Sequence, residues 1–392
     1  MIGLNANMPI LLGISAVGVF TLAVLAALVG EVTPTVAVHA ALGVGALPLI
    51  GSAMLHFVPV LTRSAGASPG LARLPFVLQG AGLLALFFVA GQGGLGVLHG
   101  AAVLAWGAAA ALAGWLLRRA GKALGTPHPG WRWYLAALLC LLAGLAAIVA
   151  AYLWPQQYAA LRAAHVRLNL FGFVGLTALG TLHVLLPTVF GAPDPRTAQR
   201  LRQDLGPAVG GVLALAGAAF MPTANGVVVG LAGVAVLAAC ALRLAWAWGR
   251  AYGRRLGEDA VTLLLCVALA GWLLSLLCLG LDIFGAMSAG TRLPLVFVIA
   301  FMLPLVSGAL SQLIPVWAHP GRLTPERLAC RAQLTHAGPV RALLHLGAAF
   351  AAAAGATAWA FALSGAALAV LLLALARAAR AGLLSGAGTL SV

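Results

Sequence analysis

The residues best suited to chemistry in this sequence are histidines, and six of the nine fall within long apolar stretches. Neutral imidazole tolerates an apolar environment, is the commonest metal ligand in proteins and also ligates haem iron. Histidines gathered near the two ends of such stretches therefore predict ligation. The three nearer one end are His39, His99 and His165, and the three nearer the other end are His56, His183 and His345.

Spacing along the chain separates these histidines into two groups. His39 and His56 lie in one apolar stretch, and His165 and His183 lie in another at almost the same separation. In a helix, either separation covers roughly 26 Å at about 1.5 Å per residue, so the two members of a pair cannot share one metal ion. The candidate ligands are thus His39 and His165 at one end, with His56 and His183 at the other.

The elements that carry these histidines are predicted to be membrane-spanning helices. The chain is 63% hydrophobic and 7% charged, with a mean hydropathy of +1.07. Apolar stretches of roughly 20 residues suffice to cross the hydrocarbon core, and only closed helical hydrogen bonding is economical there. The sequence predicts an all-α integral membrane fold with twelve spans, near 9–29, 35–61, 74–91, 95–117, 133–153, 160–188, 205–221, 226–247, 260–280, 290–317, 338–360 and 364–383.

Basic residues set the predicted orientation. The net charge is +15, and the arginines and lysines gather in every second loop and at the C-terminal end, with only Arg162, Arg167 and Arg292 near the opposite side. Loops rich in lysine and arginine stay in the cytoplasm during insertion. We therefore expect both termini in the cytoplasm, and we interpret the charge as orientation rather than recognition of nucleic acid.

An internal repeat divides the single polytopic domain, residues 1–392, into three units. Spans two, six and ten end in similar phrases, which place His56, His183 and Gln312 at one repeat position and at nearly equal intervals. This periodicity predicts three four-helix units, approximately 1–130, 131–257 and 258–392, inserted in the same orientation. The phrases are Gly51–Pro59, Gly180–Pro187 and Gly308–Pro315.

The acidic residues argue against an ion-coupled carrier. All seven are expected in loops or at span ends. Proton-coupled pumps usually place a carboxylate within the membrane, because a buried charge that can be neutralised couples ion movement to conformation.

The topology and two short motifs resemble the catalytic subunit of heme-copper oxidases and nitric oxide reductases. The segment His165–Phe173, followed by Leu186-Pro187, is similar to the segment that carries a copper-ligand histidine in the cbb3-type branch. His39 stands where that superfamily places a low-spin haem ligand. The His-x-x-x-Gly pattern from His39 to Gly43 also resembles the NnrS family, multi-span haem- and copper-associated proteins linked to nitric oxide stress.

Departures from the superfamily limit what the resemblance implies. Span seven has no histidine, although the superfamily keeps a copper-ligating pair there, and span ten has none for haem iron. The usual oxygen-reducing binuclear centre therefore cannot form. Gln312 also replaces histidine at the repeat position, which favours a helix-packing role for that position.

The resemblance nevertheless implies a divergent member that binds haem b, with or without copper, in a redox or nitric-oxide-response role. It assigns His39 to iron, His165 to iron or copper, and Arg292 to the haem propionates. It further implies a bacterial inner (cytoplasmic) membrane and a periplasmic electron donor or a respiratory complex as partner. Two alternatives remain open: a cofactor-free assembly scaffold, and a copper or small-solute transporter in which His56 and His183 line the pathway.

The charge pattern makes the topology testable. We expect alkaline phosphatase fused after Gln92 to be active, whereas the same enzyme fused after Gly125 is inactive, because Gly125 lies in an arginine-rich loop. Green fluorescent protein fused to the C-terminus should fluoresce. The reverse pattern of activities would contradict the predicted orientation.

Overall fold

The computed structural model describes residues 3–191, 194–286, 292–321 and 323–384, and all regular structure in these ranges is helical. Within them, eleven helical segments are long and apolar enough to cross a membrane. The helix Thr197–Ala218 also has the necessary length, but its first turns carry Arg200, Arg202 and Asp204. The all-helical membrane architecture predicted from the sequence is therefore confirmed.

We number the long helices as spans in chain order. We call the end of the bundle that carries the arginine-rich loops the inner end, and the opposite end the outer end. A connecting helix, Pro325–Thr335, precedes span eleven. The spans are Gly3–Leu28, Pro34–Thr62, Leu71–Val89, Leu95–Gly121, Gly130–Leu153, Pro155–Val189, Thr197–Ala218, Thr223–Tyr252, Ala260–Ile283, Leu293–Ala318, Gly338–Ala354 and Thr357–Arg380.

Several predicted boundaries differ from the structure, and two of them are at spans ten and eleven. Span eleven ends at Ala354 rather than near residue 360, because Gly355 takes a left-handed conformation with φ +81° that ends the helix. The predicted start of span ten, residues 290 and 291, lies outside the described residues, and the described helix begins at Leu293.

Spans two, six and ten share an unusual deformation. Each contains a π-helical segment, at Ala40–Ala46, Leu168–Val174 and Phe297–Met302. These segments recur along the chain at nearly the same interval as the repeated phrases. Extended π segments are rare, and they occur frequently at functional sites. The deformation therefore belongs to the three spans that end in the repeated phrase.

Each π segment packs against the span that precedes it in the chain, and spans one and twelve also contact each other. Backbones approach closely at two of these segments. A Cβ atom on Gly82 of span three would collide with the carbonyl oxygen of Gly43, and one on Gly271 of span nine would collide with that of Ala300. Small residues are what permit such approach between membrane helices.

The middle of the bundle is filled with aromatic side chains. Phe171, Trp272, Phe297 and Phe301 are fully buried, and their rings make edge-to-face contacts with centroids 5.0–6.0 Å apart. Such arrangements add to the stabilisation from burial. This cluster joins spans six, nine and ten, and it leaves the polar side chains toward the two ends.

The close approach at Gly82 predicts a selective loss of stability. Gly82→Ala should lower the free energy of unfolding by about 1–3 kcal/mol, because the new methyl group meets backbone that cannot rotate away. Gly80→Ala in the same span is the control, since nothing lies within 4 Å of a Cβ atom there. Thermal unfolding of the two variants in detergent measures the difference, and equal midpoints would contradict the packing.

Candidate functional site

The outer histidine pair, His39 and His165, lies beside two of the π segments. His39 is the last residue before the π segment of span two, and His165 lies less than one turn before that of span six. Both side chains are half-buried. The deformation of each helix thus begins next to a residue able to ligate a metal.

Hydrogen bonds orient both imidazole rings. The Nδ1 atom of His39 lies 2.9 Å from the carbonyl oxygen of Thr35, and that of His165 lies 2.8 Å from the carbonyl oxygen of Gly144. A carbonyl can only accept, so each Nδ1 carries the proton and donates it. In a neutral ring this leaves the lone pair on Nε2, which is the arrangement found in metal-ligating histidines.

Asn169 adds a further hydrogen bond to this region. Its Nδ2 atom donates to the carbonyl oxygen of His165 at 2.7 Å, one turn back along span six. Nδ2 also lies 3.3 Å from Nδ1 of His165, but the carbonyl oxygen of Gly144 is the closer partner of that ring nitrogen. Asn169 therefore holds the backbone next to the histidine.

The fold brings the two histidines into one neighbourhood. His39 and His165 are near enough to interact electrostatically, and Arg162 interacts with both. Arg162 is exposed and lies one turn before His165 on the same face of span six. A positive charge in this position favours negative groups, such as carboxylates, next to the pair.

Arg292, the residue that the resemblance assigns to haem propionates, has a different neighbour. Its guanidinium lies against Gly355, at the turn between spans eleven and twelve. The arginine that the structure places beside both histidines is Arg162, which the sequence had indicated only as an orientation charge. The sequence could have indicated Arg162 as a neighbour of His165, because the two residues are one helical turn apart.

His183, at the inner end, faces a carboxylate. Its Nδ1 lies 2.8 Å from the carbonyl oxygen of Leu179, and its Nε2 lies 3.5 Å from Oδ2 of Asp204 in span seven. The other oxygen of Asp204 forms an ion pair with Arg243 of span eight. His183 and Asp204 are each only 2% exposed, and together with the exposed Arg243 they form a polar cluster that joins spans six, seven and eight.

Asp204 corrects the expectation that every acidic residue lies in a loop or at a span end. Span seven begins at Thr197 rather than at 205, which places Asp204 two turns inside the helix. Burial is tolerated because Arg243 supplies the opposite charge. Arg243 is 55% exposed, so it reaches the carboxylate from the surface of the bundle.

The other two residues at the repeat position have different surroundings. The ring of His56 makes edge-to-face contacts with Phe57 and with Trp317 of span ten, with centroids 5.1 and 5.7 Å apart. Gln312 accepts a hydrogen bond from Nε of Arg331 in the connecting helix, at 3.2 Å. The position therefore forms contacts between elements and does not gather His56 and His183 around one centre.

The buried arginine Arg341 joins span eleven to its neighbours. Arg341 of span eleven is fully buried and donates to Ser307, Ser311 and the carbonyl oxygen of Leu334, at 3.1, 3.3 and 2.7 Å. His345, one turn later, is also fully buried and interacts electrostatically with Arg341. These bonds tie span eleven to span ten and to the connecting helix, a role that hydropathy alone did not indicate.

A cavity of ≈ 260 Å³ lies among spans two, five, six and ten toward the inner end. Its volume is below the range of about 300–1,000 Å³ typical of small-molecule sites. The Tyr134 hydroxyl lies 3.1 Å from that of Thr181 at its wall. The polar residues that line it are Tyr134, Thr181, Thr188, Gln312 and Arg327.

The inner cluster predicts an unequal response to two aspartate substitutions. Asp204→Asn should lower the free energy of unfolding by about 1–3 kcal/mol, because it removes the buried charge that Arg243 and His183 face. Asp194→Asn is the matched control, since it breaks the Asp194–Arg200 pair near the surface and should cost no more than about 1 kcal/mol.

The control substitution, Asp194→Asn, also removes an ionised carboxylate. Burial by itself would raise the pKa of Asp194, but the hydrogen bonds from Arg200 and from the amide N–H of Arg196 outweigh it and lower that pKa. Asp194 is therefore ionised at neutral pH. Equal losses in thermal unfolding for the two variants would contradict the assignment of the buried cluster.

Comparison with protein-family models, with curated proteins and with solved structures gave no match to this chain. The function is therefore argued from the geometry of its own residues.

Proposed function

We propose that this chain is a membrane-embedded haem- or copper-binding protein in which His39 and His165 are the metal ligands. The observation that carries the proposal is the pair of imidazole rings, each held through Nδ1 by a backbone carbonyl and each left with a basic Nε2. The neighbouring π segments support it, because such segments concentrate at functional sites.

The donor set discriminates among metals. Among the described residues, no group of three or more histidine, cysteine, aspartate or glutamate side chains could hold a metal ion. Two imidazoles therefore fit either a haem, whose porphyrin supplies the other four nitrogens, or copper(I). They do not fit a tetrahedral zinc site, which needs at least three protein ligands.

When bound, haem b or copper would supply one-electron chemistry, and a binding position for nitric oxide would remain only on a haem held by one of the two histidines. The chain's own residues prepare the site. The carbonyls of Thr35 and Gly144 fix the imidazole tautomers and raise their basicity as ligands. Arg162 places a positive charge beside both rings, which favours the reduced metal or the anionic propionates of a haem.

The proposal extends to architecture and location. The π segments and the repeated phrases recur at nearly the same interval, which supports three four-helix units in the manner of heme-copper oxidases and NnrS proteins. A bacterial inner membrane, with the pair near the periplasmic side, would allow electron exchange with a periplasmic donor or a respiratory complex.

A transporter is the second candidate, favoured by the inner cavity. The cavity lies between span five and the three spans that contain π segments, and its polar lining includes Thr181 and Gln312. The buried Asp204 also weakens the argument against ion coupling. Copper or solute uptake into proteoliposomes that survives His39→Ala but is lost in Thr181→Val would favour this function.

The histidine pair predicts a specific spectroscopic outcome. Purified protein should show a Soret band or bound copper, and His39→Ala or His165→Ala should lower occupancy at least tenfold, because each variant removes a ligand. His99→Ala is the control, since His99 is another half-buried histidine near the outer end. Visible spectra and metal analysis of the three variants measure the difference.

Substitutions of Arg162 and Arg292 test which arginine lies near the cofactor. Arg162→Gln should shift the reduction potential while the cofactor remains, and Arg292→Gln tests the assignment made by resemblance. If the wild type is colourless and metal-free, or if all three histidine variants behave alike, the ligand assignment fails. Co-purification of such a cofactor-free chain with an oxidase or reductase would then support the assembly-scaffold function.

A further inference from the structure

Span eight carries a basic groove on its surface near the inner end. The groove is shallow and open, and it is formed by residues of a single helix face. It is separate from the outer histidine pair and from the cavity among spans two, five, six and ten. Its lining residues are Leu242, Arg243, Ala245, Trp246, Gly249 and Arg250.

Helical spacing places the cationic and aromatic side chains of this groove on one face. Arg243, Trp246 and Arg250 occupy positions i, i+3 and i+7, which lie on one face of an α-helix. The guanidinium of Arg250 lies over the Trp246 ring, 5.9 Å from its centroid. The two arginines are about 10 Å apart along the helix axis at about 1.5 Å per residue.

This face points away from the protein. Leu242 is 55% exposed and Trp246 is 68% exposed, whereas Leu244 and Trp248 on the opposite side are 1% and 3% exposed. In a membrane protein, an exposed apolar and aromatic face contacts lipid. Tryptophan concentrates at the level of the headgroups, and the arginine-rich turn Gly253–Gly257 follows directly.

We infer that the groove binds the headgroup of an anionic phospholipid, with phosphate oxygens contacting Arg243 and Arg250 and an acyl chain along Leu242. Guanidinium groups match phosphate through paired hydrogen bonds, and basic residues next to a membrane span attract anionic lipids. Charge complementarity selects the occupant, because the residues lining the groove include two cations and no acid.

The lipid site would also be linked electrostatically to the buried carboxylate of Asp204. Arg243 is the residue that pairs with the buried Asp204, whose other oxygen faces His183 of span six. A lipid phosphate therefore shares one guanidinium with that carboxylate. A bound lipid phosphate would thus weaken the pairing of Arg243 with Asp204. This effect does not depend on a metal at the outer histidine pair.

The experiment measures binding of palmitoyl-oleoyl-phosphatidylglycerol to the full chain in phosphatidylcholine nanodiscs. Brominated phosphatidylglycerol should quench tryptophan fluorescence, and Trp246→Phe should remove most of the quenched component. Arg250→Gln should weaken apparent affinity about fivefold, the size expected for one arginine at a membrane surface. Arg118→Gln is the control, because Arg118 is exposed in the last turn of span four but lies outside the groove.

The outcomes distinguish specific headgroup binding in the groove from non-specific attraction of anionic lipid to surface charge. An affinity loss confined to Arg250→Gln, with quenching that depends on Trp246, supports the groove. Equal losses in Arg250→Gln and Arg118→Gln would overturn it in favour of diffuse surface charge. Equal quenching by brominated phosphatidylcholine would also overturn it, because the site would then have no preference for an anionic headgroup.

Discussion

Close backbone contact between helices is the constraint on which the rest of this structure depends. Lipid tails are as apolar as leucine, so membrane helices gain little from hydrophobic burial against one another and must pack closely instead. Gly82 against Gly43 and Gly271 against Ala300 provide that contact at the π segments of spans two and ten. Spans six and ten are accordingly the most deeply buried spans.

The packed aromatic centre has a consequence for polar chemistry. Phe171, Trp272, Phe297 and Phe301 occupy the region where spans six, nine and ten meet, and these four side chains carry no titratable group. His39 and His165 lie near the outer end, while His183 and Asp204 lie near the inner end. The proposed metal site and the inner ionic cluster are therefore separate features of one bundle.

The inner end shows how the fold accommodates charged groups buried between helices. Asp204 is balanced by an arginine that reaches in from the surface, so the desolvation cost falls mainly on the carboxylate. The buried guanidinium of Arg341 is stabilised differently, because two serine hydroxyls and a carbonyl accept its hydrogen bonds. Both arrangements join neighbouring spans through polar contacts.

The sequence by itself determined the helical membrane class, the approximate spans and the repeat position, because hydropathy and internal similarity are local or additive properties of the chain. It also singled out His39 and His165. It did not reveal the π segments, the neighbour of Arg292 or the proximity of Arg162, since these depend on how distant helices pack. It did not predict the burial of Asp204 for the same reason: only tertiary structure brings Arg243 from the next helix to this carboxylate.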